Sequence, residues 1–522
     1  MTGQQPVIVS GARLTNDKPV RRSVAYAAAQ TDETFASKLA ALVSIPPVRT
    51  ARGGPAKPAS NRGRRMSMPS VRCLRQFLWT ACGAALACIV TSAQAVPSYA
   101  RQTGQACVAC HVSFPELTPY GRWFKLSGYT IGTTQPFPVA AMAQVGITSI
   151  KNNDDGTGTG TLVTARNHKA ALNGASVFVA GKATDNLGGF IQYTFSENYN
   201  TDGSKVGHSG IDNTDLRWVG RLGDESADVV KLLYGLTLHN NPTAQDVWNS
   251  TPAFGFPFTA SPTAVHPSAG TQIEGAFAQQ VAGIGGYAFY DRTWYGELTA
   301  YRTADGIFSV LRHGQDINAP GGVARLKGYN PYVRLAYNKE WGEHSLMLGG
   351  FGMRVDRFVD NTDTNSGTDR FTDTGLDAQY QYISNPHTFT AQARYVHERQ
   401  DYRSSFALGS TSNATDSLNS TSLKATYYYE HQYGVTLGHF STRGSADPNL
   451  YPIGPVSGSA NGSPDSRGYI LEFDYLPIQN VRLMFQYTAY QKFNGGGTGY
   501  DGVTTRSPRD NNTMFFNLWV AF

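Results

Sequence analysis

Tyr469-Ile470-Leu471-Glu472-Phe473-Asp474-Tyr475 places Tyr469, Leu471, Phe473 and Tyr475 on one side of an extended chain and Ile470, Glu472 and Asp474 on the other. Successive side chains of a strand point to opposite faces, so this stretch predicts a strand with one apolar face and one face that carries charge. The pattern recurs upstream. Leu232, Tyr234, Leu236 and Leu238 alternate with Gly235, Thr237 and His239. Leu423, Ala425, Tyr427 and Tyr429 alternate with Lys424, Thr426, Tyr428 and Glu430, and Val481, Leu483, Phe485 and Tyr487 with Arg482, Met484 and Gln486.

A soluble β-sandwich or solenoid alternates too, so other features decide between architectures. The 28 Tyr and 26 Phe gather near the ends of strand-like segments, where a membrane barrel carries aromatic girdles. Beyond residue 96 no apolar run is long enough for a membrane helix. The chain finishes Phe516-Asn517-Leu518-Trp519-Val520-Ala521-Phe522, an alternating strand with a terminal aromatic, which resembles the assembly signal of outer-membrane barrels. The expected fold class is all-β: a transmembrane antiparallel β-barrel in outer-membrane lipid, closed so that no strand edge faces hydrocarbon.

Strand-like segments centre near residues 140, 175, 191, 215, 234, 276, 286, 298, 334, 349, 378, 393, 425, 436, 471, 486 and 517. A bacterial single-chain barrel has an even number of strands, so about 16 are expected. The stretches Lys151 to Gly160, Asp360 to Asp369 and Ala446 to Ser466 are polar or Gly-rich and suit external loops. Asn240 to Ser268 differs, with Trp248, Phe254, Phe256, Phe258 and five prolines and no alternation. It either folds inward and narrows the lumen or packs on its own rim.

The first 95 residues hold 13 Lys+Arg against 3 Asp+Glu, leaving 31 against 35 in the remainder. The basicity therefore belongs to the leader, and nucleic acid is not implied as a partner. Arg62 to Gln76 is basic, Phe77 to Val90 is apolar, and Ala93-Gln94-Ala95 supplies small residues at a cleavage site. Residues 66–95 thus read as a signal peptide, and residues 1–65 as an over-called start or a disordered extension. Cys73, Cys82 and Cys88 leave with this leader, so an exported chain keeps two cysteines and no disulfide framework.

Those two lie in Cys107-Val108-Ala109-Cys110-His111, and no second CxxCH occurs. Two thiols at this spacing can each add to a haem vinyl group, and the adjoining histidine falls where its imidazole ligates the iron. The motif predicts one covalently attached haem c held by Cys107, Cys110 and His111. A redox dithiol of the thioredoxin kind needs a βαβ context, and a tetrahedral zinc site needs four ligands; the chain offers neither.

Residues 96–138 form the expected haem segment and residues 139–522 the barrel. Phe114 to Leu126 permits a short helix whose Leu117, Tyr120 and Phe124 share a face for the porphyrin. Arg122 and Lys125 are either propionate partners or solvated charges. Some forty residues cannot build a self-sufficient cytochrome domain. They contain no methionine and no second histidine, so the sixth iron position is open or is filled from the wall. By strand parity Met142, His239 and Met484 face inward and are the candidates, whereas His397 and His439 fall on the outward face. A segment ahead of an even-stranded barrel starts on the periplasmic side, and inserting into the polar lumen as a plug gives it the most burial.

Val96-Pro97-Ser98-Tyr99-Ala100-Arg101-Gln102-Thr103-Gly104, the CVACH motif and Phe114 to Tyr129 (FPELTPYGRWFKLSGY) together resemble the fused monohaem cytochrome c–porin family of the outer membrane. Its best-known members are outer-membrane iron(II) oxidases. Beyond this stretch the similarity is one of architecture. The resemblance implies haem c on Cys107 and Cys110, with His111 as axial ligand. It also implies electron passage from extracellular Fe(II), or a similar one-electron donor, to a periplasmic cytochrome or other carrier. As an enzyme such a protein is an iron(II):cytochrome c oxidoreductase. The alternative is a diffusion porin whose haem segment gates or senses. One CxxCH excludes the di-haem peroxidase arrangement.

Overall fold

The computed structural model describes residues 97–199, 205–224, 229–314 and 323–522. The expected extension, signal peptide and cleavage site, with Cys73, Cys82 and Cys88, lie outside the described residues. First come helix α1 (Pro97–Thr103), the single turn α2 (Cys107–Cys110), the short strands β1 (His111–Ser113) and β2 (Glu116–Leu117), and helix α3 (Pro119–Leu126). The wall follows as β3 (Val139–Ile150), β4 (Ala170–Lys182), β5 (Leu187–Tyr199), β6 (Lys205–Asp224), β7 (Val229–His239), β8 (Val281–Tyr290), β9 (Trp294–Thr303) and β10 (Asn330–Trp341). It continues as β11 (His344–Phe358), β12 (Thr368–Ile383), β13 (His387–Asp401), β14 (Thr415–Tyr429), β15 (Tyr433–Gly444), β16 (Ser466–Ile478), β17 (Val481–Lys492) and β18 (Thr513–Ala521). Each wall strand pairs with its sequence neighbour, and β18 pairs antiparallel with β3 to close a barrel of sixteen strands.

The wall is apolar outside and polar inside. Leu236, Leu298, Leu335 and Leu376 face outward at 61–66 % exposure, whereas Arg217, Arg334, Lys424, Glu472 and Arg482 face the lumen at 0–4 %. A soluble protein would bury the first set; only a hydrocarbon surround makes this arrangement stable. The lumen charges are matched: Arg217 meets Asp215 at 2.9 Å, Arg334 meets Asp377 at 2.8 Å, and Arg482 meets Glu472 and Asp474 at 2.8 Å. Tyr290, Trp294, Trp341, Tyr429, Tyr433 and Tyr475 are exposed near one rim, as a girdle requires.

Connections at that rim are short: 183–186, 291–293, 342–343, 384–386, 430–432 and 479–480. β3 begins and β18 finishes there. At the other rim run 151–169, 240–280, 359–367, 402–414, 445–465 and 493–512. In outer-membrane-type barrels the short turns are periplasmic. The loop expectations hold apart from their edges, since β12 takes in Thr368 and Asp369 and β16 takes in Ser466.

The strand-like segment near 276 is not a strand. Gln272–Ala276 is a tight helical turn with Gly275 at φ +100°, and Ile273 and Phe277 are each 1 % exposed. Lumen ties override its alternation: Glu274 pairs with Arg394 at 2.9 Å, and the Gln272 amide donates to Glu398 at 2.5 Å. The long connection containing it folds inward. Asn240 to Ser250 are all buried, and the Trp248 indole donates to inward-facing Asn338 of β10 at 3.3 Å. Asp246 folds the loop on itself by accepting from the amides of Trp248, Ser250 and Thr251.

Candidate functional site

The CxxCH turn is held by local chemistry. Thr118 caps α3, accepting from the Gly121 amide at 3.2 Å, and Pro119 at the first helical position has no N–H to leave unpaired. The same hydroxyl donates to the Ala109 carbonyl at 2.5 Å, and the Thr118 amide donates to the Cys110 carbonyl at 2.9 Å, so α2 and α3 are clamped together. They cross at a glycine. A Cβ on Gly121 would stand 2.2 Å from the Cys110 oxygen.

Residues 97–138 are tied to lumen-facing groups around the wall. Glu116 meets Lys424 of β14 at 2.6 Å. The Phe114 carbonyl accepts from Arg482 of β17 at 2.8 Å, and the Leu126 carbonyl from Tyr287 of β8 at 2.5 Å. Tyr129 donates to Asp215 of β6 at 2.7 Å. At the short-turn rim the Cys107 amide donates to Gln479 at 3.1 Å. Lys125 donates to the carbonyls of Ala244 and Asp246 at 2.7 and 2.8 Å, joining α3 to the inward loop.

Cys107, Cys110 and His111 line one cavity of about 400 Å³ that runs from this rim to the inward loop. Its walls are largely aromatic and aliphatic: Phe114, Phe124, Phe178, Phe190, Phe254, Phe258 and Trp519. Burial, with Cys107 beside it, holds the Cys110 thiol up at about 11. Burial also pushes the His111 imidazole down to about 4, against the opposing pull of the Pro115 and Glu116 backbone, so the ring is neutral and able to ligate a metal. Its Nδ1 is buried with no hydrogen bond of good geometry. Two thiols and a neutral imidazole around an apolar cavity are the donor set that covalent haem requires.

The six candidate residues do not all meet. Met142, inward on β3, lines the same cavity as Cys107, Cys110 and His111. His239 lies at the long-loop end of β7, fully buried, with Nε2 hydrogen-bonded to Tyr301 at 2.8 Å. Met484 is inward and 1 % exposed but packed into the wall outside the cavity's lining. Parity gives the face and not the height, so it groups three residues that the lumen separates. Leu117, Phe124 and Lys125 line the cavity, while Tyr120 and Arg122 do not. Arg122 is neither solvated nor turned to the cavity, because its guanidinium is taken up by Gln379, Gln381 and Ser345 at 3.1, 2.5 and 2.9 Å.

The wall aromatics Phe178, Phe190 and Trp519 and the anchors Lys424, Arg482 and Asp215 are site residues that sequence reading missed. The inward charge of Lys424 and Arg482 was the available signal; their partners in residues 97–138 were not.

No family model and no curated protein matches the chain. Among solved structures, a loop-deletion mutant of OmpT, an outer-membrane protein of Vibrio cholerae, is 8 % identical, covering 74 % of this chain and 98 % of that one, with a TM-score of 0.39. OmpF of Salmonella typhi, in complex with daunomycin, is 11 % identical over 74 % and 97 %, with a TM-score of 0.41. The outer-membrane channel DcaP of Acinetobacter baumannii is 12 % identical over 74 % and 96 %, with a TM-score of 0.39.

Proposed function

We propose that residues 97–138 carry one haem c and that the protein passes electrons from an extracellular one-electron donor, with Fe(II) as the leading candidate, to a periplasmic carrier. The reading rests on one observation: Cys107, Cys110 and His111 converge on an apolar cavity at the short-turn mouth of a porin-like barrel. A haem bound there supplies reversible one-electron chemistry and needs no acid or base from the protein. Cys107 and Cys110 would attach the haem through thioethers, and neutral His111 would ligate its iron. Met142, the only methionine among the lining residues, would offer a second protein ligand to the iron. Phe178, Phe190 and Trp519 exclude water, and the ties from Glu116, Phe114 and Tyr129 hold the segment across the bore.

The test is reduction kinetics of the purified full chain in detergent. A c-type spectrum that reduces rapidly with Fe(II) is expected; a haem that stays oxidised at every pH tried removes the iron assignment. The diffusion-porin alternative has its own support in the porin-like wall and polar lumen. Planar-bilayer recording separates the two, because large ohmic pores in the intact protein favour transport, whereas the inward loop and docked segment of a conduit leave conductance small.

A further inference from the structure

The outward face of β14 to β16 changes character toward the long-loop rim. Leu423, Leu437, Leu471 and Phe473 suit hydrocarbon; the next outward positions are His439, Ser441 and Arg443 on β15 and Tyr469 and Arg467 on β16. Strand register sets Ser441 opposite Arg467 and Asn419 opposite Arg443, so the two guanidinium groups stand on neighbouring strands. Between them runs an outer groove of about 540 Å³, lined by Tyr395, Asn419, His439, Arg443, Arg467 and Tyr469.

Its floor is ordered without using the cations. The Asn419 side-chain oxygen meets Tyr395 at 2.7 Å and His397 at 2.9 Å, and the rings of His439 and Tyr469 lie 5.1 Å apart. Neighbouring cations are neutralised: Arg399 by Asp401 at 2.9 Å and Lys492 by Asp465 at 2.8 Å. Arg443 and Arg467 are exposed, and among the described residues no carboxylate pairs with either.

Two unmatched guanidinium groups where an apolar wall ends lie at headgroup depth, at the rim that faces the outer leaflet. Guanidinium recognises phosphate by paired, charge-assisted hydrogen bonds. A second copy related by a two-fold axis would instead bring the same cations face to face. We propose that Arg443 and Arg467 bind the phosphates of lipid A, the phosphorylated glycolipid of the outer leaflet, with its acyl chains on the Leu423, Leu437 and Leu471 face. This surface is independent of the haem reading.

Native mass spectrometry of the full chain in detergent, titrated with diphosphoryl lipid A, tests it. The wild type is expected to hold one lipid, and Arg443→Gln with Arg467→Gln to bind about tenfold more weakly. Arg443→Lys with Arg467→Lys keeps the charge and should retain most of the binding. Dephosphorylated lipid should bind both proteins equally weakly. Heat-modifiable migration shows that each variant barrel is folded. Wild-type binding by the Gln variant, binding of the phosphate-free lipid to the wild type as tightly as the phosphorylated one, or a change confined to oligomeric state would each overturn the proposal.

Discussion

Lys424→Met isolates one buried ion pair that ties residues 97–138 to the wall. Glu116 and Lys424 lie 2.6 Å apart with side chains 0 % and 2 % exposed, and the ammonium is 4.6 Å from the Phe258 ring. Methionine preserves volume but removes the counter-charge of a carboxylate whose second oxygen, Oε1, already lacks a hydrogen bond. Breaking a buried pair from one side costs about 3–5 kcal/mol. At about 1.4 kcal/mol per decade, that moves the docking equilibrium of residues 97–138 by roughly a hundred- to a few-thousand-fold. The wall keeps its backbone pairing, so the loss falls on docking rather than on the barrel. Limited proteolysis of the detergent-solubilised protein reads it directly: cleavage within residues 97–138 should accelerate while the barrel fragment survives. Adding Glu116→Leu should restore protection, because an apolar pair of similar volume replaces a buried ion pair with little loss. Wild-type cleavage in the single variant, or a double variant as labile as the single, would refute the reasoning.

Four further outcomes are expected. Cys107→Ser with Cys110→Ser should abolish haem staining on a denaturing gel while the barrel still folds; a stained band ends the covalent-haem proposal. Gly121→Ala should lower the pyridine-haemochrome yield, because its Cβ would meet the Cys110 oxygen at 2.2 Å, and an undiminished yield would contradict that approach. Met142→Leu should keep the covalent haem but lose the methionine–iron absorption band and lower the midpoint potential; an unchanged spectrum removes Met142 from the iron. Trp248→Ala, which empties a site 1 % exposed, should destabilise the inward loop by about 3–5 kcal/mol and raise single-channel conductance, so identical conductance would show that the loop does not constrict the bore.

The wall was legible because period two is a local property. Tyr469 to Tyr475 and Val481 to Tyr487 keep their outward and inward faces as read, and the even-number rule gives sixteen strands. The segment near 276 misled because its alternation matched a strand while its partners, Arg394 and Glu398, lay on another part of the chain. Asn240 to Ser268 left two foldings open because five prolines exclude a strand without saying which way the chain turns.

Composition and spacing alone determined an alternating wall and a CxxCH ahead of it, since both depend on residues within a few positions of one another. Closure of the barrel decided the rest. It placed Met142 on the cavity that the motif lines while leaving His239 and Met484 elsewhere, and it committed Arg122 to the wall. It also joined Glu116 to Lys424 across 308 positions of sequence. Such contacts follow from strand register and tilt around the whole ring, and no local pattern carries that information.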